Sequence, residues 1–186
     1  MTMNSTPDRD LVTRALEGDQ VAFRTIVDRY EGVVAGVVIR MLGPGDEAED
    51  VGQEVFIRLY RSLSRFRGEA SLKTYLVKIA MNLSLTAIKR RKRAEGRSSA
   101  VDLGSLPESD GHREDAAEVA ERQSRVRAAL RQLDPKHRAV VVMRMMEGHS
   151  TKDTARVLKI PEGTVLSRLA RALKKLQPHL EPLREL

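Results

Sequence analysis

Cysteine is absent from this 186-residue chain, which excludes disulfides and thiolate-bound zinc and suits a reducing compartment. Long apolar runs are missing too. The longest, Val33 to Ile39, is far too short to cross a bilayer, so direct membrane insertion is not expected. The opening stretch MTMNSTPDRD carries acids and no apolar segment, which argues against a signal peptide. Aromatics are scarce and lopsided: Phe23, Tyr30, Phe56, Tyr60, Phe66 and Tyr75 are the full set, and none follows Tyr75. His112, His137, His149 and His179 are scattered without metal-ligand spacing, and no Gly-rich loop follows a strand. No metal and no cofactor is therefore expected, and an enzyme is the least favoured class. The expectation is a soluble, cytoplasmic protein.

What the chain does hold is charge, unevenly placed. The net charge is +7. Residues 1–94 have sixteen basic against twelve acidic side chains, a net of +4. Residues 95–121 have two against eight, or −6, and residues 122–186 have fifteen against six, or +9. Basic surfaces attract nucleic-acid phosphates by counterion release, although basic helices can also be merely solvated. An acidic, self-repelling stretch behaves as a tether. Stacking on unpaired bases needs aromatic or arginine planes, so any single-strand contact belongs to the N-terminal half.

The apolar positions have helical spacing throughout, with no strand alternation. Leu11, Ala15 and Leu16 mark a short helix ending at Gly18, and Asp19 caps a long second one that breaks at Gly43-Pro44-Gly45. Asp46 with Glu49 reads as a capping-box start for a third helix reaching about Leu63. After Arg67-Gly68-Glu69, Ser71 begins a fourth, which closes on the basic tract Lys89 to Arg93. Residues 95–121 read as an acidic linker, with helical spacing resuming near Asp115. Asp134-Pro135 starts a helix that stops at Gly148. The predicted class is all-α: two small helical domains, residues 1–94 and 122–186, joined by a flexible linker.

From Ser150 to Gln177 the pattern is that of a helix-turn-helix. A helix of about two turns ends at Leu158, a tight connection holds Ile160 and Gly163, and a second helix runs from Thr164 until Pro178 breaks it. Val165, Leu169, Leu173 and Leu176 are placed on its inner face. Thr164, Ser167, Arg168, Arg171, Lys174 and Lys175 are placed on the outer one. Arginines at such positions read guanine bidentately and lysines hold phosphates. The competing reading is a helical hairpin with a basic outer face.

The segment RQLDPKHRAVVVMRMMEGHSTKDTARVLKIPEGTVLSRLARALKKL resembles the C-terminal DNA-binding domain of extracytoplasmic-function sigma factors, above all in Pro161-Glu162-Gly163-Thr164-Val165 and Ser167-Arg168. The resemblance implies recognition of the −35 promoter element. The chain departs from the family pattern at Thr154, where an apolar Ile usually packs. It also departs at Leu166, Ala170 and Leu173, where basic or larger residues are common.

Residues 46–93, DEAEDVGQEVFIRLYRSLSRFRGEASLKTYLVKIAMNLSLTAIKRRKR, resemble the N-terminal domain of the same family. By that resemblance Asp46, Glu49, Asp50, Gln53, Glu54 and Phe56 would dock on core RNA polymerase. From pattern alone, this acidic face is either solvated or docks a basic surface. The resemblance further assigns Phe66, Arg67, Tyr75 and Asn82 to capture of a flipped base of the −10 element. Lys73, Lys78, Lys89, Arg90 and Arg91 would hold the phosphates of that strand. Phe66 and Tyr75 equally suit a core. Family resemblance also implies an anti-sigma protein as a partner. Two other classes compete: an adaptor that binds polymerase without selecting promoters, and a helix-turn-helix repressor that ignores polymerase.

Overall fold

The computed structural model describes residues 6–95 and 114–180. All regular structure among them is helical, as the spacing predicted. Two compact units divide between Ala87 and Ile88. The first holds α1 (Asp8–Leu16), α2 (Gln20–Leu42), α3 (Asp46–Ser62) and most of α4 (Leu72–Glu95). The second holds α5 (Glu114–Arg131), α6 (Pro135–Val141), α7 (Thr151–Leu158) and α8 (Glu162–Leu180). Residues 96–113 of the expected linker lie outside the described residues, and α5 already begins at Glu114, within the stretch assigned to it.

Helix starts in the first unit are set by short side chains and glycines. The Ala22 N–H donates to Asp19 Oδ1 at 3.0 Å, which caps α2. This bond, with that to Arg14, holds the Asp19 carboxyl below its usual range. The Asp46 capping box does not form. Gly45 is the N-cap at φ 126°, a conformation side-chained residues avoid, and Asp46 is already helical. Asp46, Glu47 and Glu49 instead place negative charge in the first turn of α3, where the helix dipole favours it. At Ser71 the expected start holds, with the Thr74 N–H donating to its hydroxyl at 3.1 Å.

The core of this unit is the inner faces of its helices. Ile26, Val37, Val38 and Met41 of α2, Val55 and Leu59 of α3, and Leu76, Val77, Ala80 and Met81 of α4 are fully buried. Leu16, one of the residues that mark α1, is half exposed. Helix α1 is tied on by a polar cluster: the Tyr30 hydroxyl donates to Asp8 Oδ2 at 2.5 Å and Arg29 pairs with Asp8 Oδ1 at 2.7 Å. Burial, with the Asp8 carboxylate beside it, pushes the Tyr30 hydroxyl up to about 12.

In the second unit, Ala129, Leu130 and Leu133 of α5 pack with Val141 of α6 and Ala172 and Leu176 of α8. A second cluster joins Val140, Ala155 and Val165, flanked by Leu158 and Ile160, and Leu169 touches both clusters. Arg138, from the His137-Arg138 pair, is buried. Its guanidinium donates to the Arg131 and Leu133 carbonyls at 3.0 and 3.1 Å, closing the end of α5. The helix expected to reach Gly148 changes pitch at Val142–Met146, a π-helical turn that packs on α7. Pro178 does not break α8. In the last turn its missing N–H removes only one helical bond, and the helix runs on to Leu180.

Thr154 is fully buried in α7, and its hydroxyl has no hydrogen-bond partner among the described residues. A buried, unpaired hydroxyl costs about 1–2 kcal/mol against an apolar group of the same shape. Thr154→Val is therefore expected to stabilise the second unit by about 1 kcal/mol, raising its melting temperature by roughly 4–8 °C. Calorimetry of the variant checks this. A lowered melting temperature would show that the hydroxyl has a partner.

Candidate functional site

Three faces carry the polar residues singled out in the sequence. The first lies between α2 and α3, where a groove of about 410 Å³ opens. Glu49, Gln53 and Phe56 line it from α3, facing Val27, Glu31, Ala35 and Ile39 of α2. Small residues make the room: Ala35 stands opposite Ala48 and Gly52. A Cβ built on Gly52 would meet nothing within 4 Å, so packing within the chain does not require the glycine. Asp46 and Asp50 are exposed on the outer side of α3, and Glu54 is paired with Arg58 at 2.8 Å. The six expected docking residues thus divide. Three border a mainly apolar groove, and the other three, Asp46, Asp50 and Glu54, do not line it. Glu31 and Ala35, on the far wall, went unnoticed in the sequence because only the packing of α2 on α3 brings them there.

The second face runs along α4. Tyr75, Lys78, Asn82 and Lys89 recur at helical spacing on the side opposite buried Leu76, Ala80 and Ala87. Asn82 is exposed, so its side-chain amide is open to a ligand that needs both a donor and an acceptor. Phe66, in the loop before α4, packs on Tyr75 with ring centroids 5.3 Å apart and planes tilted by 56°. The Tyr75 hydroxyl donates to Ser62 Oγ at 3.0 Å, anchoring that ring. Both rings are half-buried, so they wall the site without being free to stack on both faces. Arg67 is exposed beside Gly68, whose φ of 72° turns the loop. Lys73 does not join this face: it lies on the side of α4 that carries Leu76, Val77 and Ala80. Arg90 and Arg91 are exposed at the end of the helix, Arg91 lying 3.6 Å from Glu95.

The third face is α8. Helix α7 starts at Ser150, whose hydroxyl accepts from the Asp153 N–H at 3.0 Å, and ends at Lys159 in a left-handed conformation with φ 54°. The chain then turns through Ile160 and Pro161, whose carbonyl accepts from the Thr164 N–H at 3.0 Å. Val165, Ala172 and Leu176 are buried, which fixes the outward face of α8. Ser167, Arg171, Lys174 and Lys175 are exposed, and Thr164 and Arg168 are half-buried at its edge. The four cations Arg168, Arg171, Lys174 and Lys175 form no ion pair with any described residue. One inner position is corrected. Ala172 takes the place expected of Leu173, which is 41% exposed, because the small alanine lets α8 approach α5 closely.

Among the described residues no helix is long and apolar enough to cross a membrane, and no group of His, Cys, Asp and Glu could hold a metal.

This arrangement has known counterparts. Residues 26–94 match Sigma-70 region 2, and residues 123–176 match Sigma-70, region 4. The chain is 34% identical over 184 residues to the RNA polymerase sigma-H factor of Pseudomonas aeruginosa, covering 95% of each. It is equally identical, 34% over 183 residues, to the ECF RNA polymerase sigma-E factor of Haemophilus influenzae, covering 95% of this chain and 96% of that one. Among solved structures, CnrH in complex with the cytosolic domain of CnrY is similar, with a TM-score of 0.64 and 26% identity over 94% of this chain and 97% of that one. The sigma factor RpoE of Bartonella quintana, solved with the anti-sigma factor NepR, shares the fold at a TM-score of 0.69 and 23% identity, covering 86% and 96%. The chain belongs to the extracytoplasmic-function group of the sigma-70 family of RNA polymerase sigma factors.

Proposed function

We propose that this chain binds core RNA polymerase in the cytoplasm and directs it to promoters through −10 and −35 contacts, without catalysing a reaction itself. Residues 1–94 are the polymerase-docking and −10 domain, and residues 122–186 are the −35 domain. The groove between α2 and α3, with Glu31 and Glu49 in its lining, takes the polymerase. The α4 face, from the Phe66–Tyr75 wall through Lys78 and Asn82 to Lys89, holds the displaced strand. Helix α8 enters the major groove upstream. The observation that carries this reading is the set of four α8 cations with no ion pair among the described residues, on the one helix that a helix-turn-helix offers to DNA. Charges held together without counter-ions among the described residues suit a polyanionic partner. Free energy for opening the duplex would come from trapping an unstacked base, which needs no nucleotide hydrolysis. As in other members of the family, an anti-sigma protein would hold the chain inactive until a signal arrives.

The test is run-off transcription with the purified chain, core polymerase and a randomised promoter library, with core alone as control. Defined start sites behind a shared pair of upstream elements are expected. A chain that binds core yet yields no start sites would be an adaptor. That reading draws on the exposed apolar residues of α8, which replace polar ones common in the family. A chain that does not bind core at all would defeat the proposal outright.

A further inference from the structure

Leu166, Ala170 and Leu173 are all exposed on α8, Leu166 at 55% and Leu173 at 41%. Their spacing of four and three residues aligns them in one stripe along the helix. Ser167 and Lys174 lie beside this stripe, and Arg171 and Lys175 lie beyond them. The exposed half of α8 therefore has an apolar edge and a basic edge, side by side. A surface helix ordinarily turns polar residues to solvent, so a stripe of this kind calls for a partner.

The basic edge decides which partner. Cations without ion pairs among the described residues select a polyanion, and duplex DNA is a polyanion that also presents an apolar group inside its major groove, the thymine C5-methyl. Spacing agrees. Leu166 and Ala170 are four residues apart, about 6 Å along the helix axis, close to the roughly 6.8 Å of two base-pair steps. Both lie in the N-terminal half of the helix, the part that a helix-turn-helix places against base edges. A leucine facing a G·C pair would leave the cytosine amine without an acceptor, whereas facing thymine it buries the methyl.

We propose that Leu166 and Ala170 select thymines two base steps apart in the upstream promoter element, with Leu173 extending the apolar edge towards the groove rim. This rests on the promoter-binding reading above and adds to it what the helix reads.

The test uses holoenzyme assembled from the full chain and core polymerase. The upstream element is first selected from a randomised promoter. Each of its thymines is then replaced in turn by deoxyuridine, which lacks only the methyl group, and holoenzyme binding is measured by competition. Losing one buried methyl is expected to weaken binding about fourfold at each of two thymines two steps apart. Leu166→Ser is expected to abolish the deoxyuridine effect at one of them and leave the other. The side chain is exposed, so an unchanged melting temperature confirms that this variant is folded.

Accurate initiation from elements without thymine at those steps, or with deoxyuridine bound as tightly as thymine, would overturn the methyl reading and leave the sigma-factor reading standing. Failure of any initiation would overturn both. If Leu166→Ser and Leu173→Ser left the promoter profile unchanged but altered self-association in sedimentation, the stripe would be a protein contact and the proposal would fall.

Discussion

The double substitution Arg168→Ala, Arg171→Ala is expected to weaken promoter selection sharply while leaving polymerase binding intact. A bidentate arginine–guanine pair is worth about 1–3 kcal/mol of discrimination. Losing two should lower preference for the cognate promoter over scrambled DNA by at least roughly thirtyfold. Lys174→Ala and Lys175→Ala should behave differently. A phosphate contact is sequence-blind, so each is expected to weaken all DNA alike and to reduce the slope of log affinity against log salt by about one. Competition binding at several salt concentrations separates the two classes. If the arginine variant lost cognate and scrambled DNA equally, the arginines would be phosphate clamps and base reading would lie elsewhere on α8. Arg168 is half-buried, so a melting curve must show that its loss leaves α8 packed.

How legible the structure was in the sequence depended on how local each interaction is. Asp19, Asp134 and Ser150 were readable as caps because each side chain bonds a backbone N–H two or three residues on, to Ala22, Lys136 and Asp153. At the start of α3 two local signals compete. Gly45 prevails over Asp46 because the backbone there needs a positive φ. The π-helical turn at Val142–Met146 has no local signature. It depends on α6 packing against α8 while the turn itself meets α7. Leu173 was misplaced for a related reason. Periodicity leaves Ala172 and Leu173 both near the core boundary, and size favours the leucine. The approach of α8 to Leu130 and Leu133 favours the smaller side chain.

The site residues divide in the same way. Tyr75, Lys78, Asn82 and Lys89 were found by motif and fall on one face because helical spacing alone aligns them. Lys73 carries the same charge, but its register sets it on the other side of α4. The groove was not legible. Its walls, Ala35 on α2 and Ala48 and Gly52 on α3, become neighbours only when the two helices pack. Small residues there read as ordinary helix formers, or in the case of Gly52 as a weak one, until the space they leave is seen.

Leu59→Ala is expected to destabilise the first unit by about 2–5 kcal/mol, the cost of emptying a fully buried leucine site. Composition supplies a probe for where that loss falls. Every aromatic residue precedes Ala87, so near-ultraviolet circular dichroism and tyrosine emission report on the first unit alone, while the far-ultraviolet signal reports helices of both. In Leu59→Ala the aromatic signal should melt well below its wild-type midpoint. In Val140→Ala, a fully buried site of the second unit, the aromatic midpoint should stay put and only the far-ultraviolet curve should shift. Each unit has a core of its own, and separate cores are expected to unfold in separate transitions. If Val140→Ala moved the aromatic midpoint as far as the far-ultraviolet one, the two units would be a single cooperative structure. Substitutions meant to weaken the proposed −35 reading would then also weaken the proposed polymerase groove, and the two contacts would have to be tested by surface substitutions alone.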